Sequence, residues 1–148
     1  MSFTKIINNA IHDILVDTFP GIRIRPTTME AGFQPEFQKD EFIEYWIIDQ
    51  PIVGTNSDGE TREYVYGINH YFHKRLYRRL DFEGLYSDRF DKLKEAIMEN
   101  VSYYKDGSYI WHDARVENMA FRELEHESYG NVKYYNMELV ITRFNQWG

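Results

Sequence analysis

Phe42-Ile43-Glu44-Tyr45-Trp46-Ile47-Ile48, the polar cluster Gly54-Thr55-Asn56-Ser57-Asp58-Gly59 and the run from Glu63 to Tyr77 decide the fold class. The two outer runs are rich in β-branched and aromatic residues, which suit a pleated, half-buried surface, and the cluster between them consists of turn formers. The stretch therefore reads as a hairpin, its first strand from Phe42 to Val53 and its second from Glu63 to Tyr77. Pro51 cannot donate to a ladder, so the first strand ends there or lies at an edge.

On the N-terminal side, Ile6, Ile7, Ala10, Ile11, Ile14 and Leu15 recur at three- and four-residue spacing among polar residues, which predicts an amphipathic helix from Thr4 to Thr18. Pro20-Gly21 stops it, and Ile22 to Arg25 alternates as a short strand. Thr27 to Asp40 has no period and reads as a long loop, of the kind that often binds something.

On the C-terminal side, Asp81 to Asp88 reads as a turn, with Ser87 the N-cap of a second helix whose apolar face is Phe90, Leu93, Ala96, Ile97 and Val101. Asp106-Gly107 is a strong turn signal ahead of a strand from Ser108 to Glu117. Asn118 to Gly130 is open between a short helix and a charged strand end. From Val132 to Phe144, Tyr135, Met137, Leu139 and Ile141 share one side, and Tyr134, Asn136, Glu138 and Thr142 the other, as in a half-buried strand. The expected fold is one α+β domain over residues 1–148, with an antiparallel or mixed sheet and two main helices on one face. The Tyr71 side of the hairpin is expected to stay open to solvent or a partner.

A chain of 148 residues with 43% apolar and 28% charged residues is sized and composed for one globular core, and not for a disordered or fibrous protein. The absence of cysteine removes disulfide scaffolds, thiolate metal sites and cysteine nucleophiles, and fits a reducing compartment. The start lacks the pattern of a signal peptide and no apolar run approaches the ~20 residues that span a bilayer, so neither secretion nor membrane insertion is expected. A net charge of −7 disfavours general nucleic-acid binding. Twelve Tyr, ten Phe and three Trp are more rings than one small core comfortably holds, and surplus Tyr and Trp commonly serve protein interfaces.

The residue patterns offer no catalytic constellation. His70 and His73 are three apart, which in a β segment sends the rings to opposite faces. Glu123-Leu124-Glu125-His126 has the Glu-x-x-His spacing of carboxylate-bridged metal sites but lacks the second copy those sites need. His112-Asp113 has no nucleophile elbow with it, and no phosphate loop or dinucleotide turn is present. Scattered carboxylates that converge only on folding leave a metal-free enzyme as an alternative class. No cofactor and no metal is expected.

His73-Lys74-Arg75-Leu76-Tyr77-Arg78-Arg79 is the one dense basic run of an acidic chain. Its cations and rings suit phosphates and bases, or an acidic patch such as Asp40-Glu41 or Glu123-Glu125-Glu127 on the same or a neighbouring copy; the overall charge favours the protein contact. The residues expected at an interface are Phe33, Phe37, Trp46, Tyr64, Tyr66, Tyr71, Lys74, Arg75, Arg78, Arg79 and Tyr134. Tyr64, Tyr66, Trp46 and Trp111 also suit the core of the sheet.

The whole-chain pattern resembles the tail-terminator, or tail-completion, proteins of tailed bacteriophages. The resemblance lies in the helix with Ile6 to Leu15, the long aromatic hairpin from Phe42 to Tyr77, the helix around Phe90 to Ile97 and the final Tyr134-Tyr135-Asn136-Met137-Glu138-Leu139-Val140-Ile141 strand. It implies a homo-oligomeric ring, a hexamer, that caps the tail tube protein, meets the head–tail connector proteins, and lets DNA pass without specific binding. It also implies assembly in the host cytoplasm and a final place in the neck of the virion. A head–tail connector is the nearest alternative, and a small inhibitor or binding module a more distant one.

Overall fold

The computed structural model describes residues 3–27, 37, 40–126 and 130–147. It is an α+β fold of 29% helix and 52% strand, with a mixed sheet. Helix α1 (Phe3–Thr18) leads to β1 (Arg23–Pro26), and β2 (Glu41–Asp49), β3 (Ile52–Thr55) and β4 (Gly59–Phe72) form the predicted hairpin. The short α2 (Lys74–Tyr77) and long α3 (Phe82–Glu99) follow, then β5 (Tyr103–Lys105), β6 (Ser108–Trp111), β7 (Asp113–His126) and β8 (Gly130–Gln146).

The main sheet runs β1-β2-β4-β8-β7, with β3 also on β4, and β5-β6 stands apart as a small second sheet. Only β1 and β2 run parallel; the other pairs are antiparallel. Strands β4 and β8 pair from Gly59↔Gln146 to Phe72↔Lys133 and form the spine.

Alternation along the spine decides which residues are core. Tyr64, Tyr66, Ile68, His70 and Phe72 of β4, with Tyr135, Met137, Leu139 and Ile141 of β8, point to the face covered by α1 and α3. Helix α1 supplies Ile7, Ala10, Ile11 and Leu15 to that core, and α3 supplies Phe82, Leu93 and Ile97. On the opposite face Phe42, Tyr71 and Val132 form a smaller buried cluster with Phe37 and Tyr134 against it. The Tyr71 side is therefore closed at this end, contrary to expectation.

Several boundaries differ from the sequence reading for identifiable reasons. Pro51 divides the first arm of the hairpin, and β3 resumes pairing with β4 beyond it. The second arm ends at Phe72, because the His73 side chain accepts a hydrogen bond from the Arg75 N–H (3.1 Å) and caps α2. Helix α3 begins at Phe82 and not after Ser87: Phe82 and Tyr86 extend the apolar stripe of Phe90, Leu93 and Ile97 backwards, through a glycine, Gly84, that resembles a turn former. The expected strand from Ser108 to Glu117 is two strands in two sheets, the chain crossing at His112, whose N–H bonds Thr142 O (3.0 Å). Asn118, at φ 49°, sits in a bulge between Glu117 and Ala120, and the ambiguous segment continues as strand to His126. Most of the expected loop from Thr27 to Asp40 lies outside the described residues. Among the described residues no helix is long and apolar enough to cross a membrane.

Candidate functional site: a basic and aromatic groove

The capped turn at His73 brings the basic run to the end of the sheet where α3 begins. Leu76 is buried and Tyr77 half-buried, so these two face inward while Arg75, Arg78 and Arg79 stay exposed. Tyr77 donates from its hydroxyl to Asn131 O (2.7 Å), and Lys133 Nζ lies 4.8 Å from the Tyr77 ring centroid, so α2 is tied to the start of β8. Arg75 pairs with Asp40 at 2.9 Å and Arg79 with Asp81 at 2.6 Å.

The rings of α3 and the sheet line the concavity beneath. Phe82 meets Phe72 edge-on (5.5 Å), and Tyr86 meets Phe121 of β7 (4.6 Å) and Tyr135 of β8 (5.6 Å). Tyr77, Arg79, Leu80, Phe82, Glu83, Tyr86, Ser87, Phe121 and Lys133 border a groove of about 590 Å³. Its walls are aromatic and its charged lining is Lys133, Glu83 and the Asp81-paired Arg79, with Arg78 adjoining in the chain. Half of the Phe121 surface is exposed, at 50%, and Leu80 is fully exposed.

A buried polar chain fixes this end of α3 to the sheet. Arg89 grips the Glu41 carboxylate through Nε (2.7 Å) and Nη2 (3.2 Å). Glu41 Oε1 lies 3.0 Å from His70 Nε2, and His70 Nδ1 lies 2.7 Å from the Tyr135 hydroxyl. An ionised Glu41 can only accept, so the arrangement sets His70 with its proton on Nε2 and Nδ1 accepting from Tyr135. Burial works to raise the Glu41 carboxyl, but the hydrogen bonds from His70 and Arg89 outweigh it and hold it below the ordinary value. Burial depresses the imidazole of His70, which is wholly inaccessible. His70 and Glu41 are buried, and through Arg89 they orient α3 and the groove wall it carries.

On the other face, Tyr71 donates to Glu44, Asn69 donates to the Tyr71 hydroxyl (2.8 Å), and Asn136 donates to Asn69. Glu44 Oε2 is buried without a hydrogen-bond partner, and burial raises its carboxyl above the ordinary value.

No family model matches the chain, and no curated protein matches it. The groove must therefore be read from its own residues.

The structure brings the basic members of the expected interface set together and buries three of its tyrosines. Lys74, Arg75, Arg78 and Arg79 lie together at the groove end. Tyr64, Tyr66 and Tyr71 have 2% exposure or less, so these strand tyrosines serve the core and have no surface to offer a neighbour. Trp46 is half-buried across Gly67, where an added Cβ would fall 2.5 Å from its Cζ2. Tyr134 is half-buried beside Tyr71 (5.0 Å), and Phe37 packs edge-on to His73 (5.3 Å). Phe33 lies outside the described residues.

His70 sits in the polar chain and His73 in the α2 cap; His112 and Asp113 are exposed between two strands, and Glu123 and Glu125 are exposed on β7. Among the described residues no three His, Asp or Glu are grouped to hold a metal ion. The groove residues Phe82, Tyr86, Phe121 and Lys133 were not singled out from sequence, because three separated segments supply them. Tyr104 and Tyr109 were also missed, although the Asp106-Gly107 turn signal was enough to pair them: they are register partners in the β5-β6 hairpin, with exposures of 60% and 50%.

Proposed function

We propose that the protein is a structural subunit that joins copies of itself head to tail in a closed ring, and that it acts as a tail terminator, capping a phage tail tube and offering the surface to which the head joins. The observation that carries this reading is that, among the exposed apolar side chains, two unlike groups lie at separate places along β8, one by Tyr135 and the other by Thr142. Leu80 and Phe121 lie at the groove end, and Tyr104 and Tyr109 at the far hairpin. Contact between unlike surfaces is heterologous, and it builds a ring where the rotation between copies closes and an open filament where it does not. Self-complementary patches would give a two-fold dimer instead.

A third exposed set, Ile48, Ile52 and Val53 around the β2-β3 break, suits a different neighbour: the tail tube protein or a head–tail connector protein. The net charge of −7 supports passage of DNA through the ring without retention. The likeness of the helix, hairpin, helix and final strand to tail-terminator proteins supports the same role, with assembly in the host cytoplasm and a final place in the virion neck.

Native mass spectrometry with negative-stain imaging tests the reading. The expected result is a closed ring of about six copies, alone or on added tail tubes. A protein that stays monomeric at high concentration and leaves tube ends uncapped overturns it.

A further inference from the structure

The two unlike surfaces also match each other in chemistry. The β5-β6 hairpin turns at Asp106 and Gly107, both with positive φ (52° and 85°), which fits the right-handed twist of a two-residue turn. One side of the hairpin faces α1, where Lys105, Asp106 and Ile110 border a concavity with Ile6, Asn9 and Ala10, while the space beside Gly107 is open, a Cβ there meeting nothing within 4 Å. The rings of Tyr104 and Tyr109 lie edge to face there at 5.0 Å. Lys105 is tied back to Asp13 (3.2 Å), and Asp106 is the exposed carboxylate of the turn. The hairpin thus presents two exposed rings and a carboxylate. The groove presents aromatic walls, Leu80 at its lip, and Lys133, Arg79 and Glu83 among its lining, with Arg78 alongside; Arg79 is held by Asp81, so Lys133 and Arg78 are the cations it offers.

The groove cannot take the hairpin of its own chain. Its Tyr86 packs on Tyr135, whereas the hairpin joins the main sheet beside Thr142. Seven residues of β8 separate these points, a distance of ~23 Å at ~3.3 Å per residue. The geometry points to the groove of one copy as the receptor for the β5-β6 hairpin of the next, with Tyr104 and Tyr109 against Tyr77, Phe82, Tyr86 and Phe121, and Asp106 facing Lys133 and Arg78. This contact rests on the ring reading above and names the surfaces that make it. A groove of about 590 Å³ lies within the ~300–1,000 Å³ range of sites that enclose a pair of rings. Tyrosines in such pockets are frequent hot spots.

The chain has no cysteine, so introduced thiols report on this contact alone. Ser87 borders the groove and Ser108 lies in the hairpin, both exposed. Within one copy the two ends are far beyond the ~7 Å Cα separation that a disulfide tolerates. Oxidised S87C/S108C should give a ladder of linked copies ending in a closed species, while either single variant gives at most a dimer. The tip variant Y104S/Y109S should melt as the wild type does and lose self-affinity by about 30-fold or more for each hot-spot ring.

A ring that persists in Y104S/Y109S, with no ladder from S87C/S108C, overturns the hairpin contact and leaves the ring reading standing. A wild type that is monomeric with no ladder and leaves tube ends uncapped overturns both. A ladder from a weakly associating wild type supports the contact. A fluorophore on S87C that responds to a single-stranded oligonucleotide but not to added wild-type protein assigns the groove to nucleic acid and overturns the proposal.

Discussion

Arg89→Met removes the cation that holds the start of α3 to the sheet, and its cost follows from what stays behind. Glu41 is only 4% exposed, and the variant leaves it one side-chain hydrogen-bond partner, His70, in place of two. Removing one partner of a buried pair costs about 3–5 kcal/mol, because the remaining charge is left uncompensated. The Arg89 side chain is 24% exposed, which places the loss at the lower end, ~3 kcal/mol, or about 150-fold in the unfolding equilibrium. At ~2.1 cal/mol/K per residue the transition entropy of this chain is ~0.3 kcal/mol/K, so the midpoint should fall by about 10 °C. Calorimetry and urea titration on R89M, E41Q and the double variant provide the check. E41Q removes the charge that R89M strands, so the double variant should lose less than the sum, with a coupling of about 1–3 kcal/mol. An R89M protein within ~1 kcal/mol of wild type, or single effects that simply add, would refute this account of the polar chain.

His70 is held below its ordinary value of 6.5, so the unfolded chain takes up this proton first; stability is full above that value and is lost as the pH falls through it, and Glu41 adds a loss of the same sign below 4.5. H70Q should flatten the decline in melting temperature between about pH 6.5 and 5, and an unchanged slope would remove His70 from the explanation. Glu44 has the opposite sign, because its raised carboxyl makes the folded chain bind the proton first, so its contribution falls as pH rises through 4.5. E44Q should therefore stabilise the protein by about 1 kcal/mol at pH 7 and have no effect near pH 4, as melting curves at the two pH values will show. G67A drives a Cβ to within 2.5 Å of the Trp46 ring and should cost about 1–3 kcal/mol, with a red shift in tryptophan emission as the ring is displaced.

The elements easiest to read in the sequence were those whose own pattern carries the answer. Ile7, Ile11 and Leu15 mark the buried stripe of α1, and Tyr135 to Ile141 alternate along β8 as they do in space. The errors fell where a short local device overrides a broad tendency. His73 caps a helical turn inside a β-rich run, Gly84 sits within a helix, and His112 lets one β-rich run serve two sheets. The basic half of the groove was legible because Lys74 to Arg79 are contiguous. Its aromatic half was not, since Phe82, Phe121 and Lys133 meet only when α3 lies across the ends of β7 and β8.

Counting rings could not separate interface from core, but the hydroxyl groups do. Tyr64 accepts from Asn145 (2.9 Å), Tyr66 donates to Asn8, Tyr71 donates to Glu44, and the Tyr135 hydroxyl is 2.7 Å from His70. A buried phenol without a partner costs free energy, so these strand tyrosines are satisfied within the chain and their rings belong to the core. Tyr104 and Tyr109 are the reverse: their rings are exposed, and neither hydroxyl has a protein partner among the described residues. Side chains with a large apolar body and an uncommitted polar tip lose little by moving from water into a groove whose rim supplies cations. The aromatic residues are therefore divided between rings satisfied within the core and a few strongly exposed ones: Tyr104 and Tyr109 on the hairpin, Phe121 at the groove and Trp147 beside Asp58.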